Sequence, residues 1–285
     1  MIPRSFRFNT RMPSLHDVLC LLALFFECVL HAESMPCRGT ATYRLQFQGE
    51  WKNSSSRPAG AQFTGFIGAV HNKCYQMWET GERASLGVKN VAEEGDYMEL
   101  SKEIQKHIEK WKTATEQIKP KTNTIGPLGD ALLPDTENPQ SGYTLDRSHT
   151  LVSVVVRVEP SPDWFVGISN INLCNKSGEW VREPLRIQLV PYDAGTAVRS
   201  QHNHSLVVPS NPREKIATLD EKGISDLNGI DIAYIRISFQ HSFPDASPQH
   251  VIDEDNCPNK ASIREISLLG WSTLICVLFV FLNFM

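Results

Sequence analysis

The 285-residue sequence has no two cysteines at C-x-x-C spacing. That removes the ligand pairs of a zinc ribbon and the dithiol of a thioredoxin-like redox enzyme. It also has no Gly-x-Ser-x-Gly elbow, no His-Glu-x-x-His helix and no P-loop, so none of the local signatures of nucleophilic, zinc-hydrolytic or nucleotide chemistry is present. A basic excess is missing as well. Lys and Arg number 28 against 32 Asp and Glu, giving a net charge of −4, which argues against a nucleic-acid binder. No 20–50-residue period recurs, so solenoids and propellers are excluded. With 41% hydrophobic and 21% charged residues, the chain is globular rather than bulk-disordered.

Long apolar runs are few, and they sit near the two ends. Arg4, Arg7 and Arg11 precede the nine apolar residues Val18–Phe26, and Ala32 offers a small residue for cleavage. Residues 1–32 therefore read as a secretory signal peptide, with Met12 as an alternative start. Residues 266–285 carry no charge and are long enough to span a bilayer, yet no Lys or Arg follows them. That pattern predicts a GPI-attachment signal, with Asn259 as the lipid-attachment residue, Ser262 as a second candidate and 251–265 as a polar spacer. A single transmembrane helix is the alternative.

Between these ends lie Cys37, Cys74, Cys174 and Cys257, an even number in a secretory chain. Two disulfides are expected, and spacing leaves all three pairings open. Sequons at Asn53, Asn175 and Asn203 sit among polar and turn residues and predict glycosylation.

Periodicity supplies the secondary structure. Thr42–Gln48 alternates, with Tyr43, Leu45 and Phe47 on one face. Thr150–Val158 reads as a buried central strand, and Leu185–Val190 and Ile232–Phe239 as further strands. Ala84–Glu94 and Met98–Ile118 read as helices, the second with Leu100, Ile104, Ile108 and Trp111 on its apolar face and a solvated charged face opposite. Pro120–Arg147 reads as a long loop. Together these predict a mainly β chain, an antiparallel β-sandwich with a short helical layer.

Several motifs then occur in one order. They are Tyr43-Arg44-Leu45-Gln46-Phe47 with Gly49 and Trp51, Phe66-Ile67-Gly68-Ala69-Val70-His71, and the block Trp78–Val88 containing Gly81-Glu82 and Ala84-Ser85. Ser161-Pro162-Asp163-Trp164-Phe165-Val166-Gly167 and Pro191-Tyr192-Asp193-Ala194-Gly195-Thr196 follow. The series resembles the spondin domain of the F-spondin and mindin family across about Cys37–Phe239, and Leu151–Asp163 is most like mindin. The expected domain occupies 33–250. No thrombospondin type 1 repeat accompanies it.

The resemblance implies a C2-like extracellular sandwich and a role in adhesion, matrix attachment or recognition, with integrin as a possible ligand class. It also implies a calcium site in loops at one end, with Asp163 and Asp193 as metal ligands. The family pattern there continues Asp-Ala-Gly-Thr-Asp, whereas this chain has Ala197 at the last position. Calcium takes six to eight oxygens, so one lost carboxylate weakens the site. Asp146 is the reserve candidate for the missing ligand. The alternatives are aspartates that only cap turns, a secreted structural matrix component, and a hydrolase without a local motif. His71 is expected to hydrogen-bond beside the core, and Trp164 and Trp180 to pack in the sandwich.

Overall fold

The computed structural model of the chain describes residues 35–51, 57–134, 138, 141–199, 207–223, 231–244 and 257. The strands are β1 (Thr40–Gly49), β2 (Gln62–His71), β3 (Ala114–Ile118), β4 (Thr124–Ile125), β5 (Asp130–Leu133), β6 (Tyr143–Asp146) and β7 (Leu151–Glu159). They continue as β8 (Trp164–Asn172), β9 (Leu185–Leu189), β10 (Tyr192–Asp193), β11 (Ala197–Arg199), β12 (Val207–Pro209), β13 (Ala217–Thr218) and β14 (Ala233–Phe243). Two helices, α1 (Leu86–Glu94) and α2 (Met98–Lys106), lie between β2 and β3.

All the strand pairings are antiparallel, and they form two sheets and a ribbon. One sheet runs β5-β1-β14-β9 with β6 also on β1. The other runs β13-β10-β8-β7-β2-β3 with β4 also on β2, and β11-β12 is a separate two-stranded ribbon.

The core follows from alternation. In β1, Tyr43, Leu45 and Phe47 are buried while Arg44, Gln46 and Gln48 are partly exposed. The even-numbered valines of β7 (Val152, Val154, Val156 and Val158) meet this face and join one core between the sheets. Val155 points the other way, into a second core formed with Val88 and Val91 of α1 and Leu100 and Ile104 of α2. A strand covered on both faces needs apolar residues on both, which is why β7 reads as a nearly continuous run.

In β2 the register shifts between Thr64 and Ile67, so Phe63 and Phe66 both enter the inter-sheet core despite their odd spacing. Gly65 makes the shift possible: its φ is +61°, and a Cβ there would lie 2.7 Å from the Gly95 carbonyl.

Two expectations need correction. The helix expected over Met98–Ile118 ends early. It passes into a π turn at His107–Trp111, reverses at Lys112 (φ 55°) and continues as strand β3. The 3–4-residue apolar spacing does carry to Trp111, but pairing of β3 with β2 decides the conformation beyond it. The loop expected over Pro120–Arg147 contains β4, β5 and β6. Each has only two to four residues, too few for a period-2 pattern to stand out.

The disulfides pair Cys37 with Cys174 and Cys74 with Cys257. His71 is fully buried, with its ring nitrogens 2.8 Å from the Asn72 carbonyl and from Ser153 Oγ, and burial pushes its pKa down to about 4. Trp180 is buried and Trp164 packs against the inter-sheet core.

Candidate metal centre

The turn between β7 and β8 places Asp163. Ser161 Oγ donates to the Val158 carbonyl at 2.5 Å and accepts from Trp164 N at 3.0 Å, fixing the turn around the aspartate. Asp193 comes from β10, which pairs with β8 so that Asp193 stands opposite Trp164. The Asp163 carbonyl accepts from Ala194 N at 3.1 Å. Sheet pairing thus brings two aspartates thirty positions apart to one edge.

Asp193 caps its own turn, whereas Asp163 is held by a distant loop. Asp163 is fully buried. Its Oδ2 accepts from Thr196 N (2.7 Å), Ala197 N (2.9 Å) and Thr196 Oγ1 (3.1 Å). Its Oδ1 is buried with no hydrogen-bond partner among the described residues. Such an orphaned acceptor carries the full desolvation penalty of a buried polar atom. Burial, and next the Asp193 charge, push the Asp163 carboxyl up to about 6 against the three hydrogen bonds that favour ionisation.

Asp193 Oδ1 accepts from Gly195 N at 2.8 Å. Gly195 has a φ of +69°, and a Cβ there would lie 2.6 Å from the Glu214 backbone, so the loop requires glycine. The Asp193 pKa is also raised by burial, with the Gly195 hydrogen bond and Lys222 opposing and Glu214 adding.

Lys222 is the participant that sequence reading missed. Its Nζ lies 3.9 Å from Asp193 Oδ1 and contacts the Glu214 carboxylate. Nothing local in the sequence marks it, because it arrives from the turn after β13.

The donor set is all oxygen, and one of its oxygens lacks a partner, which suits a hard divalent cation such as calcium. It is also sparse. Among the described residues no group of three or more His, Cys, Asp or Glu is arranged to hold a metal. Ala197 is buried beside Asp163, where a third carboxylate would complete the set. With calcium bound, Asp163 and Asp193 would hold the ion, and backbone carbonyls and water would fill the remaining positions.

Asp146 does not supply the missing ligand. It lies before the start of β7, and Asp163 lies beyond its end, roughly 26 Å away along eight strand steps. Asp146 Oδ1 instead accepts from Ser148 N and His149 N, both at 2.8 Å, and faces the His149 ring. Burial works against the Asp146 charge, but the His149 contacts win and lower its pKa.

Of the glycosylation residues, Asn175 is exposed in a turn, its Oδ1 accepting from Ser177 N and Glu179 N. Asn53, Asn203, Asn259 and Ser262 lie outside the described residues, as do the expected signal peptide and apolar tail. Among the described residues no helix is long and apolar enough to cross a membrane.

Comparison with known proteins gives a consistent relationship. The family model Spondin_N matches residues 41–228. Spondin-1 of Homo sapiens is 34% identical over 212 residues, covering 72% of this chain and 25% of the relative. Spondin-1 of Gallus gallus is 35% identical over 185 residues, covering 64% of this chain and 22% of the relative. Spondin-2 of Homo sapiens is 34% identical over 166 residues, covering 56% and 46% respectively. The matched region is thus about a quarter of Spondin-1 and under half of Spondin-2.

Proposed function

The chain belongs to the spondin family, and from that premise we propose that it is an extracellular recognition module attached to a membrane, binding a protein or matrix ligand at the carboxylate end of its sandwich with calcium held there. It works by binding, without turnover chemistry. The ligand class is a cell-surface or matrix protein, with integrins the partner that the spondin resemblance favours. Attachment rests on the uncharged stretch 266–285, with Asn259 as the lipid-attachment residue.

One observation supports the calcium reading above the rest: the buried, unpartnered Asp163 Oδ1 beside a second raised carboxyl. Two like-charged groups in a dry site repel, and a divalent cation relieves both at once. With only two carboxylates the site is weak, with a dissociation constant on the order of 10⁻⁴ to 10⁻³ M, within reach of extracellular calcium.

Calorimetric titration of the full chain in detergent tests this. Saturable calcium binding in that range, accompanied by a higher melting temperature, is the expected result. Absence of binding would leave the carboxylate end as a metal-free surface and remove calcium from the reading.

A further inference from the structure

The carboxylate centre and the exit of the chain lie at opposite ends of the sandwich. β7 leads from the exit end towards Asp163. Cys257, by contrast, is bonded to Cys74, three residues past the end of β2, and the end of β2 pairs with the start of β7. Nine positions separate Cys257 from Ile266, where the uncharged stretch begins. At about 3.5 Å each, that leash is at most roughly 30 Å long. Lipid attachment at Asn259 would shorten it to two positions.

The surface around this exit has a distinct chemistry. Cys74 lines a cavity of about 360 Å³ together with Lys106, His107 and Trp111. Lys106 Nζ lies 4.5 Å from the centre of the Trp111 ring, and exposed Lys110 and Lys112 flank the same tryptophan. Two carboxylates lie nearby and keep their charge, Glu109 accepting from Gln105 and Glu103 from Ser85 Oγ and Gly87 N, so Lys106, Lys110 and Lys112 leave a small positive excess.

The same end continues across the molecule. The Lys112 carbonyl lies 2.9 Å from His149 Nε2, His149 contacts Asp146, and Asp146 stands opposite Thr40, which stands opposite Phe243. Phe243 at 62% and Met35 at 61% are the most exposed large apolar side chains among the described residues. Met35 sits beside Gly178, in the turn that follows the Cys37–Cys174 bridge.

We propose that the part of this end formed by Trp111 with Lys106, Lys110 and Lys112 rests on the headgroup layer of a phospholipid membrane, while Phe243 and Met35 lie on the side of the end that the Asn175 glycan would cover. The sandwich then stands upright with its carboxylate centre facing away. The inference rests on the membrane-attachment reading above. Ammonium groups meet headgroup phosphates and an indole favours the interface. The short leash holds these residues where they can engage.

The test uses the full glycosylated chain reconstituted into vesicles of phosphatidylcholine and phosphatidylserine, with brominated phosphatidylcholine as the quencher of tryptophan fluorescence. Flotation reports attachment. The difference in quenching between wild type and Trp111→Phe reports contact, since every other tryptophan is the same in both proteins, Trp271 being removed with the apolar stretch on lipid attachment at Asn259 and otherwise common to both. Trp111 is a better reporter than Phe243, whose groove is bordered by the sequon residue Asn175.

The expected result is flotation of both proteins, with a quenched component present only in wild type. That component should also disappear in a floating Lys106→Glu/Lys110→Glu/Lys112→Glu variant. Flotation with equal quenching in wild type and Trp111→Phe would overturn the contact while leaving attachment intact. Failure to float would overturn both.

Discussion

The two ends of the sandwich bury different ionisable groups, histidines at one and a pair of acids at the other. At the exit end, His71, His107 and His149 are buried, and each has a hydrogen-bond partner. Both disulfides close around that end. At the carboxylate end, Asp163 is equally buried but keeps one oxygen without a partner and faces a second acid. Glu159 shows that this need not be so. It lies at the same end, yet is held by Gln62, Thr64 and Arg157. Unsatisfied burial alone does not separate the ends, because Tyr75 Oη, beside Cys74 and stacked on His107, is also buried without a hydrogen-bond partner among the described residues. The difference is one of charge: a buried acid with a free oxygen facing a second acid is what a cation completes.

The sharpest way to break this division is to open the closed end. The Cys37–Cys174 bridge spans 137 positions. Replacing both residues by serine is expected to cost about 4–5 kcal/mol, mostly through the unfolded chain. The melting temperature should fall by roughly 10–20 °C. Calcium affinity, measured below the new transition, should hold. Loss of calcium binding in the folded double variant would mean that the two ends are coupled.

Next in size is the pH response of the open end. A native carboxyl at about 6, against 3.8 ordinarily, keeps a proton that the unfolded chain releases. Its stabilisation is therefore full below about pH 4 and disappears as the pH rises through 6, a change of up to about 3 kcal/mol. Buried His71 and His107, whose pKa values are pushed down to about 4, add an opposing slope over the same range. The contribution is therefore read as the difference in metal-free urea unfolding between wild type and Asp163→Asn, and millimolar calcium should shrink that difference by favouring the ionised form. Asp163→Asn should remove the Asp163 share of the pH dependence, leaving that of Asp193 and the histidines, stabilise the metal-free protein at neutral pH and abolish calcium binding. An unchanged slope in that variant would assign the pH response to other groups.

How much of this was legible in the sequence depends on the range of the interaction. The long strands were readable because Tyr43, Leu45 and Phe47 alternate and the Val152–Val158 run is covered on both faces. α1 was read over Ala84–Glu94 and forms over Leu86–Glu94, where the Ser85 hydroxyl caps Val88 N. β3 was not, because Ala114–Ile118 becomes a strand only by pairing with β2. The aspartates were found through their motifs, and sequence spacing could not say that they meet. Lys222 carried no local signal, and the rejection of Asp146 required knowing which way β7 runs.

A smaller effect comes from restoring the missing acid. Ala197 N already bonds Asp163 Oδ2, and the residue is buried. Ala197→Asp adds a hard oxygen ligand there and should tighten calcium binding about tenfold, equivalent to roughly 1.4 kcal/mol. In the metal-free state the same change adds a third repelling charge, so stability should fall in chelator and recover in calcium. Unchanged calorimetric affinity would show that the β11 backbone directs position 197 away from the ion.

The finest test concerns the lysine already at the open end. Lys222 Nζ is 3.9 Å from Asp193 Oδ1, while Glu214 holds the same ammonium from the other side. In the metal-free protein this charge partly stands in for a cation, and it is one of the forces lowering the Asp193 pKa. A calcium ion on Asp193 would meet that ammonium as a like charge, so the lysine competes with the metal. The group is partly exposed, and water and salt screen it, limiting its effect to about 0.5–1 kcal/mol. Lys222→Gln should therefore tighten calcium binding roughly two- to fivefold. The gain should shrink as sodium chloride is raised, because screening weakens the wild-type competition first. The metal-free variant should be slightly less stable, having lost its only described counter-charge to Asp193. Weaker calcium binding in Lys222→Gln would reverse the assignment: Lys222 would then be shaping the Asp193 loop for the ion, and the carboxylate end would be less open than its orphaned oxygen indicates.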